Sequence, residues 1–150
     1  MKHLFFAIIL MVSCASQKSE APEPSPKTEY ASIYYGSICC GAPSSDMVLE
    51  FTKTYFASKK LTLPKIYKQS GLGREGEYRI YISLDTLKPK YKEDFFAQLQ
   101  KTIEKQNSKR NPNADGIVNF AEKVAQNILE QEVKIKRTGI KKLEELKISK

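Results

Sequence analysis

The sequence predicts an α+β domain in which a small antiparallel sheet carries helices packed on one face. Three observations lead there. Residues 77–84 alternate strictly, with Tyr78, Ile80, Ile82 and Leu84 facing one way and Arg79, Tyr81 and Ser83 the other, the period of a half-buried strand. Around that strand, β-rich segments exchange with segments whose apolar residues recur every three or four positions. And the 15 aromatics, 8 Tyr and 7 Phe, supply enough bulk for a core of ordinary domain size.

Taken in order, Tyr30–Cys39 is rich in Tyr and Ile and predicts a strand. Asp46–Lys60 places Val48, Phe51 and Tyr55 at i, i+3 and i+7, the stripe of a helix. Pro64 precedes a second strand over Lys65–Ser70, and the alternating segment Glu77–Leu84 is the third. Pro89 suits the first turn of a helix, and Tyr91, Phe95, Leu99 and Ile103 then recur every four residues. After a polar loop over Gln106–Asp115, the residues Ile117, Phe120, Ala121, Val124 and Ile128 share one helical face and predict a third helix. Glu132–Thr138 fits either a last strand or more helix, Gly139 breaks it, and Ile140, Leu143 and Leu146 give the tail a helical spacing. With 132–138 as a fourth strand the order becomes the split β-α-β arrangement of ferredoxin-like domains, extended by C-terminal helices.

The first 29 residues stand apart. Lys2 and His3 precede Leu4–Val12, a nine-residue apolar run followed by Ser13 and Cys14, the layout of a secretory signal. Nine residues are too few to span a bilayer, which takes about 17–25. Met11-Val12-Ser13-Cys14 resembles the lipobox of bacterial lipoproteins, although that family prefers Leu where Met11 stands. The resemblance implies removal of residues 1–13 and diacylglycerol on the Cys14 thiol, so that the partner reached through the N-terminus is the membrane. Residues 14–29 then form a tether. Pro22, Pro24 and Pro26 at every second position favour extended chain, with a reach of about 45 Å. Ala15 is not the Asp that marks inner-membrane retention in enteric systems, which favours the outer membrane. Residues 30–150 form the single folded domain.

Composition narrows the chemistry. His3 is the only histidine and leaves with the signal, which removes Ser-His-Asp and Cys-His catalysis and the usual neutral-pH proton shuttle. The expectation is a non-catalytic protein, with a carboxylate-based hydrolase as a residual alternative. The net charge of +8 reads as a lysine-rich solvated surface, because Glu is interspersed among the basic residues. No nucleic acid partner is expected for a protein beyond the inner membrane, and an unidentified protein or glycan takes that place.

Gly71-Leu72-Gly73-Arg74-Glu75-Gly76 has the spacing of a dinucleotide loop, but it joins two predicted strands and so predicts a hairpin without nucleotide binding. Asn111, Asn113, Asp115, Ile117, Asn119 and Glu122 fall at positions 1, 3, 5, 7, 9 and 12 of a segment with Gly116 at position 6. This resembles the calcium loop of EF-hands and dockerins. It implies weak calcium binding through those six residues, and hence a calcium-dependent adhesion module as the alternative function; no other cofactor is expected. The competing expectation is a plain turn in which Asn113 or Asp115 caps a helix. Cys39 and Cys40 are adjacent, which allows a strained vicinal disulfide, a bridge to a partner, or two reduced thiols. Placed in a strand, at most one of them enters the core. The loop 41–46 opens the first helix and is the most plausible part of any ligand site.

Overall fold

The computed structural model describes residues 27–138 and 142–148. The signal, Cys14 and most of the tether therefore lie outside the described residues, as do Gly139 and Ile140. The elements are β1 (Glu29–Gly36), α1 (Asp46–Ser58), β2 (Ile66–Ser70), β3 (Tyr78–Ser83), α2 (Pro89–Asn107), β4 (Ile117–Gln126), α3 (Ile128–Thr138) and β5 (Lys142–Leu146). The strands form one sheet in the order β4-β1-β3-β2-β5, every neighbouring pair antiparallel. The first four strands and two helices follow the split β-α-β order of ferredoxin-like domains, and β5 extends the sheet beyond β2.

Each predicted element up to α2 lies close to its expected position. Alternation in β1 sends Ala31, Ile33 and Tyr35 to the same face as Tyr78, Ile80 and Ile82 of β3 and Ile66 of β2. α1 and α2 cover that face with Val48, Tyr55, Phe56, Phe95, Leu99 and Ile103. Pro89 stands in the first turn of α2 behind the extended Lys88, where its missing N–H costs nothing. The Tyr55 hydroxyl ties the two helices together, donating to Asp94 Oδ2 at 2.9 Å and to the Tyr91 carbonyl at 3.1 Å. Burial, with help from Asp94, pushes this phenol well above its ordinary range. In turn, bonds from Gln98 and Tyr55, aided by Lys59, hold the Asp94 carboxyl below its usual range.

Beyond α2 the structure corrects two expectations, the third helix and the helical tail, and decides between the two alternatives for 132–138. The segment expected as a third helix is the strand β4, and it, not 132–138, completes the split β-α-β sheet. Residues 132–138 belong to α3. The tail expected as helical is β5 for Lys142–Leu146.

The cause of the first correction is visible in the register. Tyr30 faces Ala125, Ser32 faces Glu122 and Ile33 faces Phe120, with the register shifting at each step. β4 thus carries one extra residue between each of these pairs, the signature of β-bulges. The bulges, between Phe120 and Ala125, break the two-residue alternation of the strand, so its apolar residues do not show a strand's period.

α3 lies on the face opposite α1 and α2. Its Ile128 packs with Tyr30, Tyr81 and Ala125, flanked by Tyr67 and Leu143. The turn into it uses Asn127 at φ 59°, a left-handed conformation that Asn tolerates better than most residues. The buried Tyr81 hydroxyl donates to Gln69 Oε1 at 2.9 Å and also meets Gln131 of α3. This second cluster is smaller and more polar than the first.

Candidate functional site

A cleft of about 310 Å³ opens at the end of the sheet where β1 leaves for α1 and α2 returns to β4. One wall is the loop 37–45. Its carbonyls are held from the core and from α2: the Tyr78 hydroxyl donates to Pro43 O at 2.6 Å, and Gln106 Nε2 donates to Ser44 O at 2.7 Å. Tyr78 in turn stacks on Tyr35 at 4.5 Å and carries the Lys68 ammonium over its other side, 4.3 Å from the ring centroid. Burial raises the Tyr78 phenol to about 12, so it stays a neutral donor at any physiological pH. Inside the loop, the Gly41 amide donates to Ser37 Oγ at 3.2 Å, with Gly41 at φ 97°.

The opposite wall is the segment 106–116. Asn107, the last residue of α2, makes two bonds to one residue of β4. Its Nδ2 donates to Val118 O at 2.7 Å, and its Oδ1 accepts from Val118 N at 3.0 Å. The side chain thus behaves like a short piece of strand laid on the outer edge of β4, satisfying two backbone groups of a fully buried residue. Removing that amide in Asn107→Ala orphans both groups and should destabilise the domain by about 1–3 kcal/mol. Urea denaturation measures the loss, and amide exchange at Val118 should accelerate with it. Unchanged exchange at Val118 would contradict the assigned role.

The turn 111–116 closes the mouth. The Asn111 amide donates to Asp115 Oδ2 at 2.6 Å, the Asn113 amide to Asn111 Oδ1 at 3.1 Å, and Arg110 Nη1 to Asp115 O at 3.2 Å. Gly116 follows, packed against the Gly36 carbonyl and Pro43. The two walls are joined across the mouth, where Cys39 Sγ donates to Ala114 O at 3.4 Å.

The residues named for calcium are only partly gathered. Asn111, Asn113 and Asp115 share the turn, but the Asn111 and Asp115 side chains bond the turn's own amides. Ile117 begins β4, Asn119 pairs with Tyr34, and Glu122 pairs with Ser32. Glu122 stands five residues along the strand from Ile117, about 16 Å at the usual rise. It is an exposed residue of the sheet, whereas an EF-hand brings its last ligand back on a helix. Among the described residues, no three His, Cys, Asp or Glu side chains are grouped to hold a metal ion. Gly116, position 6 of the 111–122 segment, is required by its close approach to the neighbouring backbone.

Cys39 and Cys40 lie in the loop after β1, both exposed, because β1 ends at Gly36 rather than continuing to Cys39. Neither lies in the strand expected over Tyr30–Cys39, and neither enters the core. Their Sγ atoms are 2.6 Å apart. Loop 71–77 closes the β2–β3 hairpin with Gly71 and Gly76 at φ 74° and 82°.

The cleft therefore joins the cysteine pair and the loop 41–46, neighbours in sequence, to the distant Asn111–Asp115 turn. It adds residues that no motif marked, since Gln106 and Asn107 read as polar loop and Lys109 and Arg110 as solvated charge. Cys40, Lys109, Arg110 and Asp115 all line the cleft, so that two cations and one carboxylate face it. Such a site can hold a compact polar group. Among the described residues no helix is long and apolar enough to cross a membrane. Comparison with models of known families, with curated proteins and with solved structures returned no match.

Proposed function

We propose that this chain is a lipid-anchored binding protein of the bacterial envelope, tethered through Cys14 to the outer membrane and non-catalytic. Its partner is a protein or glycan that offers a compact acidic group to the Lys109/Arg110 side of the cleft. The observation that carries the proposal is Met11-Val12-Ser13-Cys14 at the end of a nine-residue apolar run. Two further features support it. Glu29, where the tether meets β1, is ion-paired with Lys92 of α2, so the tether enters a fixed point of the domain. The cleft carries hydrogen-bonding groups and cations, the mixture that suits a specific polar ligand.

Metabolic labelling with a palmitate analogue should mark the wild-type chain and leave Cys14→Ser unmarked. Equal labelling of the two would remove the anchor and with it the envelope assignment. The binding half is read separately: crosslinked capture should lose its partner when Lys109 and Arg110 are both changed to Glu. Capture that ignores this double reversal would move the binding surface away from the cleft.

A further inference from the structure

We propose that Cys39 and Cys40 form a reversible dithiol–disulfide couple that controls the mouth of the cleft. Its oxidant is a low-molecular-weight disulfide.

The geometry supports ring closure within the chain over reaction with outside thiols. Both side chains are exposed, and their sulfurs already face each other at 2.6 Å. They stand in a loop, where the backbone is free of ladder bonds, and Gly41 follows at φ 97° to absorb a change of direction. A second thiol held against the first has a very high effective concentration, so a mixed disulfide formed at one cysteine is resolved by the other.

The exchange balances as follows. The Cys40 thiolate attacks one sulfur of the small disulfide, forms a mixed disulfide and expels one small thiolate. Cys39 loses its proton, attacks the Cys40 sulfur and expels the second small thiolate. Two electrons pass from the protein dithiol to the small disulfide, and the two cysteine protons end on the two released thiols. The order follows from geometry. Cys40 lines the cleft, while Cys39 Sγ is engaged as the donor to Ala114 O, so Cys39 takes the second step; the hydrogen bond shared with Cys40 also raises its thiol above the usual range.

Reversibility follows from the sequence. Adjacent residues have Cα atoms about 3.8 Å apart across a trans peptide, whereas relaxed disulfides prefer roughly 4.4–6.8 Å. A bridge formed here is strained, and strained exposed bridges are the easily reduced ones. The consequence for the cleft is local. Oxidation removes the Cys39 S–H, which is the donor to Ala114 O joining the loop 37–45 to the turn 111–116.

The test uses the full chain treated with hydroxyethyl disulfide, then alkylated and digested with trypsin. Peptide 28–53 contains Cys39 and Cys40 and excludes Cys14. It should appear about 2 Da lighter and unalkylated, and take two alkyl groups after reduction. Cys39→Ser and Cys40→Ser should each stop at a stable mixed disulfide. Amide exchange across residues 112–116 should be faster in the oxidised form. Two alkyl groups without reduction, a mixed disulfide that persists in the wild type, or a disulfide-linked dimer would each overturn the couple. Equal exchange rates in the two redox forms would overturn its control of the cleft.

Discussion

Gly116→Ala should be among the most destabilising single substitutions in this domain, at about 3–5 kcal/mol. A Cβ at this position overlaps the carbonyl oxygen of Gly36 and lies 2.8 Å from Pro43 Cδ and 3.0 Å from the Gly36 carbonyl carbon. None of these atoms belongs to the far end of a flexible side chain. Gly36 is the last residue of β1 and pairs with Ile117 at the start of β4, so moving it strips the ladder at the site of the clash. Pro43 is held through the Tyr78 hydroxyl, so it resists as well. The substitution should therefore loosen both walls of the cleft together. Gly76→Ala is the control: that residue has φ 82° and nothing within 4 Å of an added Cβ. It should lose only the cost of a left-handed alanine, about 1–2 kcal/mol. Against a total stability of about 5–15 kcal/mol, urea denaturation separates the two variants readily. Equal losses would mean that the close approach of β1 and β4 at the cleft is wrong.

The fold was legible in the sequence as far as α2 because simple periodicity holds there. Strict alternation exposes β3, and the recurrence of Phe95, Leu99 and Ile103 exposes α2. β4 was illegible for a physical reason: its two bulges, between Phe120 and Ala125, break the alternation of the strand, and Ile117 and Val124, which are exposed on the sheet, combine with Phe120 into the spacing of a helix. β5 was hidden differently. It is a five-residue strand whose residues are exposed or half-buried, and so few positions cannot distinguish one period from another. The site was legible in pieces. The cysteine pair, the 41–46 loop that follows it and the Asn-rich turn each attracted notice, but only the sheet topology brings the turn to the other two. Asn107 could have been found only by asking what covers the outer edge of β4, and that edge was not expected. Gly116 was noticed for its place in the 111–122 segment, and its close approach to the Gly36 backbone had no sequence signal.

Phe95→Ala should remove about 3–5 kcal/mol and leave the domain barely folded at room temperature. Phe95 is fully buried and sits at the centre of the layer between the helices and the sheet. Its ring centroid lies 5.2 Å from Tyr55, 5.6 Å from Phe51 and 5.9 Å from both Phe56 and Phe96. The three edge-to-face pairs, with Tyr55, Phe56 and Phe96, add about 0.5–1.5 kcal/mol each beyond burial of area, and truncation loses them at once. The cavity cannot close easily, since its walls are rings from α1 and α2 whose backbones are joined through Tyr55 and Asp94. Phe95→Leu keeps much of the apolar volume and should lose clearly less. Phe96→Ala removes a half-buried ring whose remaining neighbour is Phe120 at 6.0 Å, and it too should fall well below Phe95→Ala. Thermal and urea unfolding of the three variants give the ranking. Near-ultraviolet circular dichroism should show the tyrosine signal collapsing first in Phe95→Ala. A loss below about 1.5 kcal/mol would place Phe95 outside the core, and the packing of α2 on the sheet would have to be redrawn. Because the last turn of α2 carries Gln106 and Asn107, the cleft walls depend on that packing. Phe95→Ala should therefore accelerate amide exchange at Val118 even though it lies far from Asn107 along the helix.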